Sequence, residues 1–184
     1  MYDDDEEDSH DYDVDSWRKL PVFIQAEVIL KLVEHIVDCI PKEDSNASSA
    51  YEYALFDHHT SSMMENALII PAKIAGIHGV ELYDIKMENA TSIRKAARAI
   101  ITDLRGLQIA GFKEIEYLDL LRNEIEVLRP LFAEWIKTFN PYNYIIDRWG
   151  LFNPPGVNYD DKSPSDDLPY DTNRFFEDFD NDED

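Results

Sequence analysis

A single cysteine, Cys39, stands among 184 residues, so an internal disulfide is excluded and the chain cannot assemble a multi-cysteine zinc site. Glycine is scarce, six in all, and none forms a phosphate-cradling loop, since Gly76 and Gly79 fall in a turn between apolar segments. Positive charge is sparse as well. Seventeen Lys and Arg face 39 Asp and Glu, and the net charge of −22 opposes broad binding to a phosphate backbone. No apolar run approaches the roughly 18 residues of a membrane span, and acidic ends are repelled by anionic lipid. The start, MYDDDEED, is the opposite of a basic secretory leader. These absences predict a cytoplasmic protein with no membrane partner.

What is present is 44% hydrophobic and 12% aromatic, enough to bury a core. The acidity is concentrated at the ends. Residues 1–14 hold eight acids and no base, and residues 151–184 hold eleven acids against Lys162 and Arg174, together 17 of the 22 net negative charges. Residues 15–150 are nearly balanced, with 20 acids and 15 bases. Three parts follow: an acidic disordered tail over 1–14, a globular unit over 15–150, and an acidic Pro- and aromatic-rich segment over 151–184. In that last segment Phe175, Phe176 and Phe179 alternate with acids, the composition of a docking tail.

Within 15–150 the apolar residues recur at steps of three and four in four segments, the pattern of amphipathic helices. The first, about 21–40, carries Val22, Ala26, Ile29, Val33, Ile36 and Ile40, with Pro21 suited to the first turn. The second, about 48–77, carries Met63, Ala67, Ile70, Ile74 and Ile77, with Pro71 expected to kink it. The third, about 83–110, carries Ala90, Ile93, Ala97, Ile100, Leu104 and Leu107, and Gly111 supplies its stop. The fourth, about 113–140, carries Leu118, Leu121, Ile125, Leu128, Phe132 and Trp135, bent at Pro130. No stretch alternates as a strand. Short connections make the expected fold all-α, an antiparallel up-down-up-down four-helix bundle. The stretch 141–150, rich in Tyr and Ile, is expected to pack on the bundle end.

No catalytic constellation accompanies these helices. A di-metal carboxylate site in a bundle needs two inward Glu-x-x-His motifs, and the chain has none. Asp57, His58 and His59 form the densest group of metal-ligand types but lack further partners in sequence, and His35 with Cys39 reads as a helix flank. The expectation is a non-enzyme with no cofactor and no bound metal. The strongest charge contrast lies in the third helix, where Arg94, Lys95, Arg98 and Arg105 gather and Arg94, Arg98 and Arg105 share a face. Two readings remain open: a site for a polyanion, either RNA or the chain's own acidic tails, or a solvated face paired with Glu114, Glu116, Glu124 and Glu126.

Leu20-Pro-Val-Phe-Ile-Gln-Ala-Glu-Val-Ile-Leu-Lys-Leu-Val33 resembles the opening helix of the four-helix-bundle proteins encoded in intervening sequences of bacterial large-subunit rRNA genes, with Phe23 where that family has Trp. Ile70-Pro71-Ala72-x-Ile74-Ala75 resembles the family's proline-bearing second helix. Met64-Glu65 stands where the family has an arginine pair, Lys73 replaces Asn, and Arg94-Lys95 follow Ser92 where the family is acidic. Such proteins are similar in fold to the accessory variability determinant of diversity-generating retroelements. The resemblance implies homo-oligomerisation, pentameric by that analogy, and a non-enzymatic adaptor role. Joined to the composition of the ends, that role becomes an adaptor that holds a protein partner, with the acidic tails as docking or autoinhibitory segments. The resemblance implies as an alternative a nucleic-acid-binding accessory of a reverse transcriptase. A DNA mimic that inhibits a DNA-binding protein is the third reading of the acidic ends.

Overall fold

A computed structural model describes residues 15–40 and 50–162. The acidic run 1–14 and the tail residues Phe175, Phe176 and Phe179 lie outside the described residues. Four helices carry the fold: α1 (Pro21–Asp38), α2 (Ala50–Gly76), α3 (Tyr83–Ile109) and α4 (Ile115–Ile136). A 3-10 turn over Ser16–Lys19 precedes α1, and Trp17 from it meets the Phe23 ring edge-on at 4.6 Å. Each helix packs on its sequence neighbour, and α1 also packs on α4, so the four form a ring of up and down helices. Among the described residues the backbones of α1 and α3, and of α2 and α4, do not come close across the ring.

The core is the meeting of four stripes. Val22, Ala26, Ile29, Val33 and Ile36 face Met63, Ala67, Ile70 and Ile74, with Ile93, Ile100, Leu104 and Leu107 opposite Leu118, Leu121, Ile125 and Leu128, all buried. Burying a side chain of this size contributes about 1.5–3 kcal/mol, so these stripes dominate the driving force. Four expected core positions stop short of full burial: Ile40, past the end of α1, and Ala97, Phe132 and Trp135 are half-buried, and Ala96 is buried in place of Ala97. For Ala97 and Phe132 the reason is local, since α3 and α4 touch least of all neighbouring pairs and these two side chains border the gap, whereas Trp135 packs on Phe139 near the end of α4. α2 runs unbroken through the buried Pro71, and α4 through the exposed Pro130.

The α3 terminus shows how sequence sets a boundary. Gly111 adopts φ +88°, the left-handed region open to glycine. Its N–H donates to the Gln108 carbonyl, while that of Phe112 donates to the Leu107 carbonyl at 3.0 Å, the paired bonds of a Schellman stop. Phe112 then turns inward against Phe56 and seals that end of the core.

One polar group penetrates between α2 and α3. Asp103 is only 7% exposed, and both its oxygens accept hydrogen bonds, from Ser62 Oγ at 2.8 Å and from His59 Nδ1 at 3.1 Å. Buried carboxylates persist only when so paired. Gly106 makes room for the arrangement: a Cβ there would stand 2.2 Å from the His59 ring. Gly106→Ala should therefore push the ring off Asp103 and destabilise the protein by about 1–3 kcal/mol in urea unfolding. In a His59→Ala background the same change should become stabilising by up to about 1 kcal/mol, the helix-propensity gain of alanine over glycine. Equal effects in both backgrounds would refute the contact.

Candidate functional site: an arginine-rimmed groove and an aromatic strap

The sparse seam between α3 and α4 opens as a groove of about 540 Å³. Its floor is apolar: Ile93, Ala97 and Ile101 from α3, and Ile125, Leu128 and Phe132 from α4. Its rim is cationic. Arg94, Arg98 and Arg105 stand along α3 and Arg129 faces them from α4, all four exposed. The spacing of 94 and 98 places them one turn apart, and 105 lies two turns further on, so one helix face lines the groove for about three turns.

The rim is largely without counter-charge. Among the described residues Arg94, Arg98 and Arg105 make no ion pair, whereas Arg129 meets Glu126 at 3.1 Å. Of the four carboxylates that were candidates to neutralise α3, none pairs with Arg94, Arg98 or Arg105 among the described residues: Glu124 accepts a 2.7 Å bond from Gln25 of α1, and Glu126 meets Arg129 at the rim. Arg122 is likewise engaged, by Asp119 and Gln108, and lies outside the groove. Like charges facing across a seam repel, which opposes its closure. Of the four basic residues singled out in sequence, Arg94, Arg98 and Arg105 come together at the groove, and Lys95 is exposed beside it without lining it. Arg129 was missed. It sits on an acidic stretch of α4, and only the pairing of α3 with α4 brings it opposite the others.

The titratable groups singled out elsewhere do not converge. Asp57 and His58 are exposed, and His59 turns inward to Asp103, so the three consecutive residues do not form one site. Among the described residues no three His, Cys, Asp or Glu side chains gather in a way that could hold a metal ion. Ser62, Asp103 and His59 are joined with the carboxylate in the middle, so the hydroxyl faces no imidazole base; the arrangement clamps α2 to α3. Burial, with Glu114 and Asp38 nearby, raises the Cys39 thiol above its ordinary range, which keeps it protonated at neutral pH.

A second surface follows α4. Residues 141–162 form an irregular strap that docks on the first turn of α3: the Tyr83 N–H donates to the Asn143 carbonyl at 2.7 Å, and the Ile145 N–H to Asp84 Oδ1 at 3.0 Å. The strap satisfies part of a helix start that has no side-chain cap. Asp147 organises its interior, accepting from the N–H groups of Trp149, Leu151 and Phe152. Arg148 crosses to the carbonyls of Tyr159 and Asp161. Of the side chains in 141–150 expected to pack on the bundle end, Tyr144 and Ile146 are half-buried, whereas Tyr142 and Ile145 are exposed and Trp149 is 89% exposed; Leu151 just beyond is 74% exposed. Asp147 is the organising residue that sequence reading passed over, because its role depends on backbone N–H groups that no motif announces.

The fold therefore defines an all-helical four-helix protein with a cationic groove. Comparison with protein-family models, curated proteins and solved structures finds no match for the chain. No helix among the described residues is long and apolar enough to cross a membrane.

The bond from Trp149, with those of Phe152 and Leu151, outweighs desolvation and holds the Asp147 carboxyl below its ordinary value. A lowered folded pKa means that these bonds stabilise the strap fully above the usual carboxylate pKa and are lost as pH falls through the lowered value. The amide resonances of Trp149, Leu151 and Phe152 should shift together below about pH 4 in NMR. Asp147→Asn should abolish that shared titration, and its persistence in the variant would show that another group causes it.

Proposed function

We propose that the chain is a non-enzymatic, homo-oligomeric helical adaptor whose α3–α4 groove receives an acidic, aromatic-bearing peptide segment of a protein partner. The observation that carries this reading is the groove's composition. Six apolar residues form a floor under four guanidinium groups, three of them without an ion pair among the described residues. A segment that alternates acids with rings meets both halves at once: apolar burial supplies affinity, and guanidinium–carboxylate bonds fix register. The resemblance to the rRNA intervening-sequence family supports the adaptor role. The burial of Pro71 within an unbroken α2 is consistent with that relationship, since a mid-helix proline is costly and must be held by its surroundings.

The row of Arg94, Arg98 and Arg105 favours a second reading, a nucleic-acid-binding accessory of a reverse transcriptase. Against it stands the floor, where Phe132 is the one aromatic side chain, so successive bases have no stacking platform. Self-association is supported by a different face. Ile24 and Val28 of α1 and Leu120 and Val127 of α4 are exposed on the two helices joined by the Gln25–Glu124 bond. Apolar residues so grouped on a surface suit contact with another copy.

Two measurements follow. A fluorescent 15-residue peptide alternating Phe with Asp and Glu should bind in anisotropy titrations, and Arg94→Glu with Arg98→Glu should weaken it at least about tenfold, roughly the 1.4 kcal/mol or more of lost charge-assisted bonds. A single-stranded RNA that outcompetes the peptide, with a steep salt dependence, would replace this reading by the second. Light scattering should give a multiple of the 21.4 kDa chain mass, falling to one chain in Ile24→Lys with Val127→Lys. A monomer before substitution would remove the oligomeric part.

A further inference from the structure

The groove's most complementary occupant is written into the same chain. The segment beyond the described residues, 163–184, carries nine acids and one base, and its Phe175-Phe176-Glu177-Asp178-Phe179-Asp180 sets three rings among carboxylates. We infer that this segment lies in the α3–α4 groove of its own chain, with Phe175, Phe176 and Phe179 on the apolar floor and the flanking acids on Arg94, Arg98, Arg105 and Arg129. The inference rests on the reading of the groove as an acidic-peptide site and adds its regulation: a partner must displace the tail to enter.

Three observations converge. Charge is complementary, since Arg94, Arg98 and Arg105 make no ion pair among the described residues and acids are abundant in the segment. Apolarity is complementary too, a half-buried floor of Ala97, Ile101 and Phe132 against three rings. Reach is sufficient. The strap is fixed at the first turn of α3 through Asn143 and Ile145, and Arg148 ties Tyr159 and Asp161 back towards it. From there the groove begins at Ile93 and Arg94, roughly 15 Å along the helix, and ends at Arg105, roughly 30 Å along. Residues 163–174 span up to about 40 Å when extended, enough to bring Phe175 from the strap to the near part of the floor.

Tethering makes the contact strong without requiring high intrinsic affinity. A short linker presents the tail at an effective concentration in the millimolar range, which suppresses binding of an added peptide by tenfold or more if the free groove binds it at tens of micromolar. The decisive test uses the full chain in three forms: unaltered, with Phe175→Ser, Phe176→Ser and Phe179→Ser together, and with Arg94→Glu and Arg98→Glu. A fluorescent peptide of residues 170–184 is titrated into each. The tail variant should bind it at least about tenfold more tightly than the unaltered chain, and the arginine variant most weakly. The gap between the first two forms should narrow in high salt as the charge contacts are screened. Equal binding to the unaltered chain and the tail variant, lost in the arginine variant, would leave the groove a peptide site and overturn its occupation by the tail. Failure of every form to bind, with circular dichroism showing intact helix in each, would overturn the peptide site itself and the inference with it.

Discussion

Four guanidinium groups facing one another across a helix seam set the terms for the rest of this molecule. A bundle of four amphipathic helices gains most by closing all four seams, and here three are closed by packed aliphatic side chains while the fourth is left ajar. Repulsion between Arg94, Arg98 and Arg105 on one side and Arg129 on the other opposes closure, and the stripe beneath them remains half-covered. A neutral bundle would bury Ala97, Ile101 and Phe132 against one another. In this one they stay half-buried beneath the arginine rim.

The same constraint explains which parts of the structure could be read from residues alone. The helices were legible because Val22 to Ile36, Met63 to Ile74, Ile93 to Leu107 and Leu118 to Leu128 each keep a helical step, and nothing else buries such stripes together. Gly111 was legible as a stop because only glycine readily takes its φ. The groove was half legible: three arginines at steps of four and seven mark a face, but a face is not a site until its neighbour is known. Arg129 and the parting of the seam depend on how α3 meets α4, a relation carried by tertiary packing and not by local spacing.

The polar residues between α2 and α3 teach a related lesson. Asp57-His58-His59 reads in sequence as one cluster, yet helix geometry sends consecutive side chains in different directions, and His59 finds its partner on another helix. Asp103, Ser62 and Gly106 complete that clamp from positions that share no motif. It holds α2 and α3 in register along the most extensive interface of the bundle, next to the sparse seam that α3 makes with α4 on its other side.

The strap has a consequence for the order in which the molecule assembles. The four helices make contacts mainly with chain neighbours, which favours rapid formation. By contrast, the strap closes on α3 from 61 positions away, through backbone bonds and beneath exposed rings. A segment with so little buried apolar area belongs to the least stable cooperative unit of a protein, the last to dock and the first to leave. Its departure would free the start of α3 without removing any of the aliphatic stripes that α1 to α4 bury together.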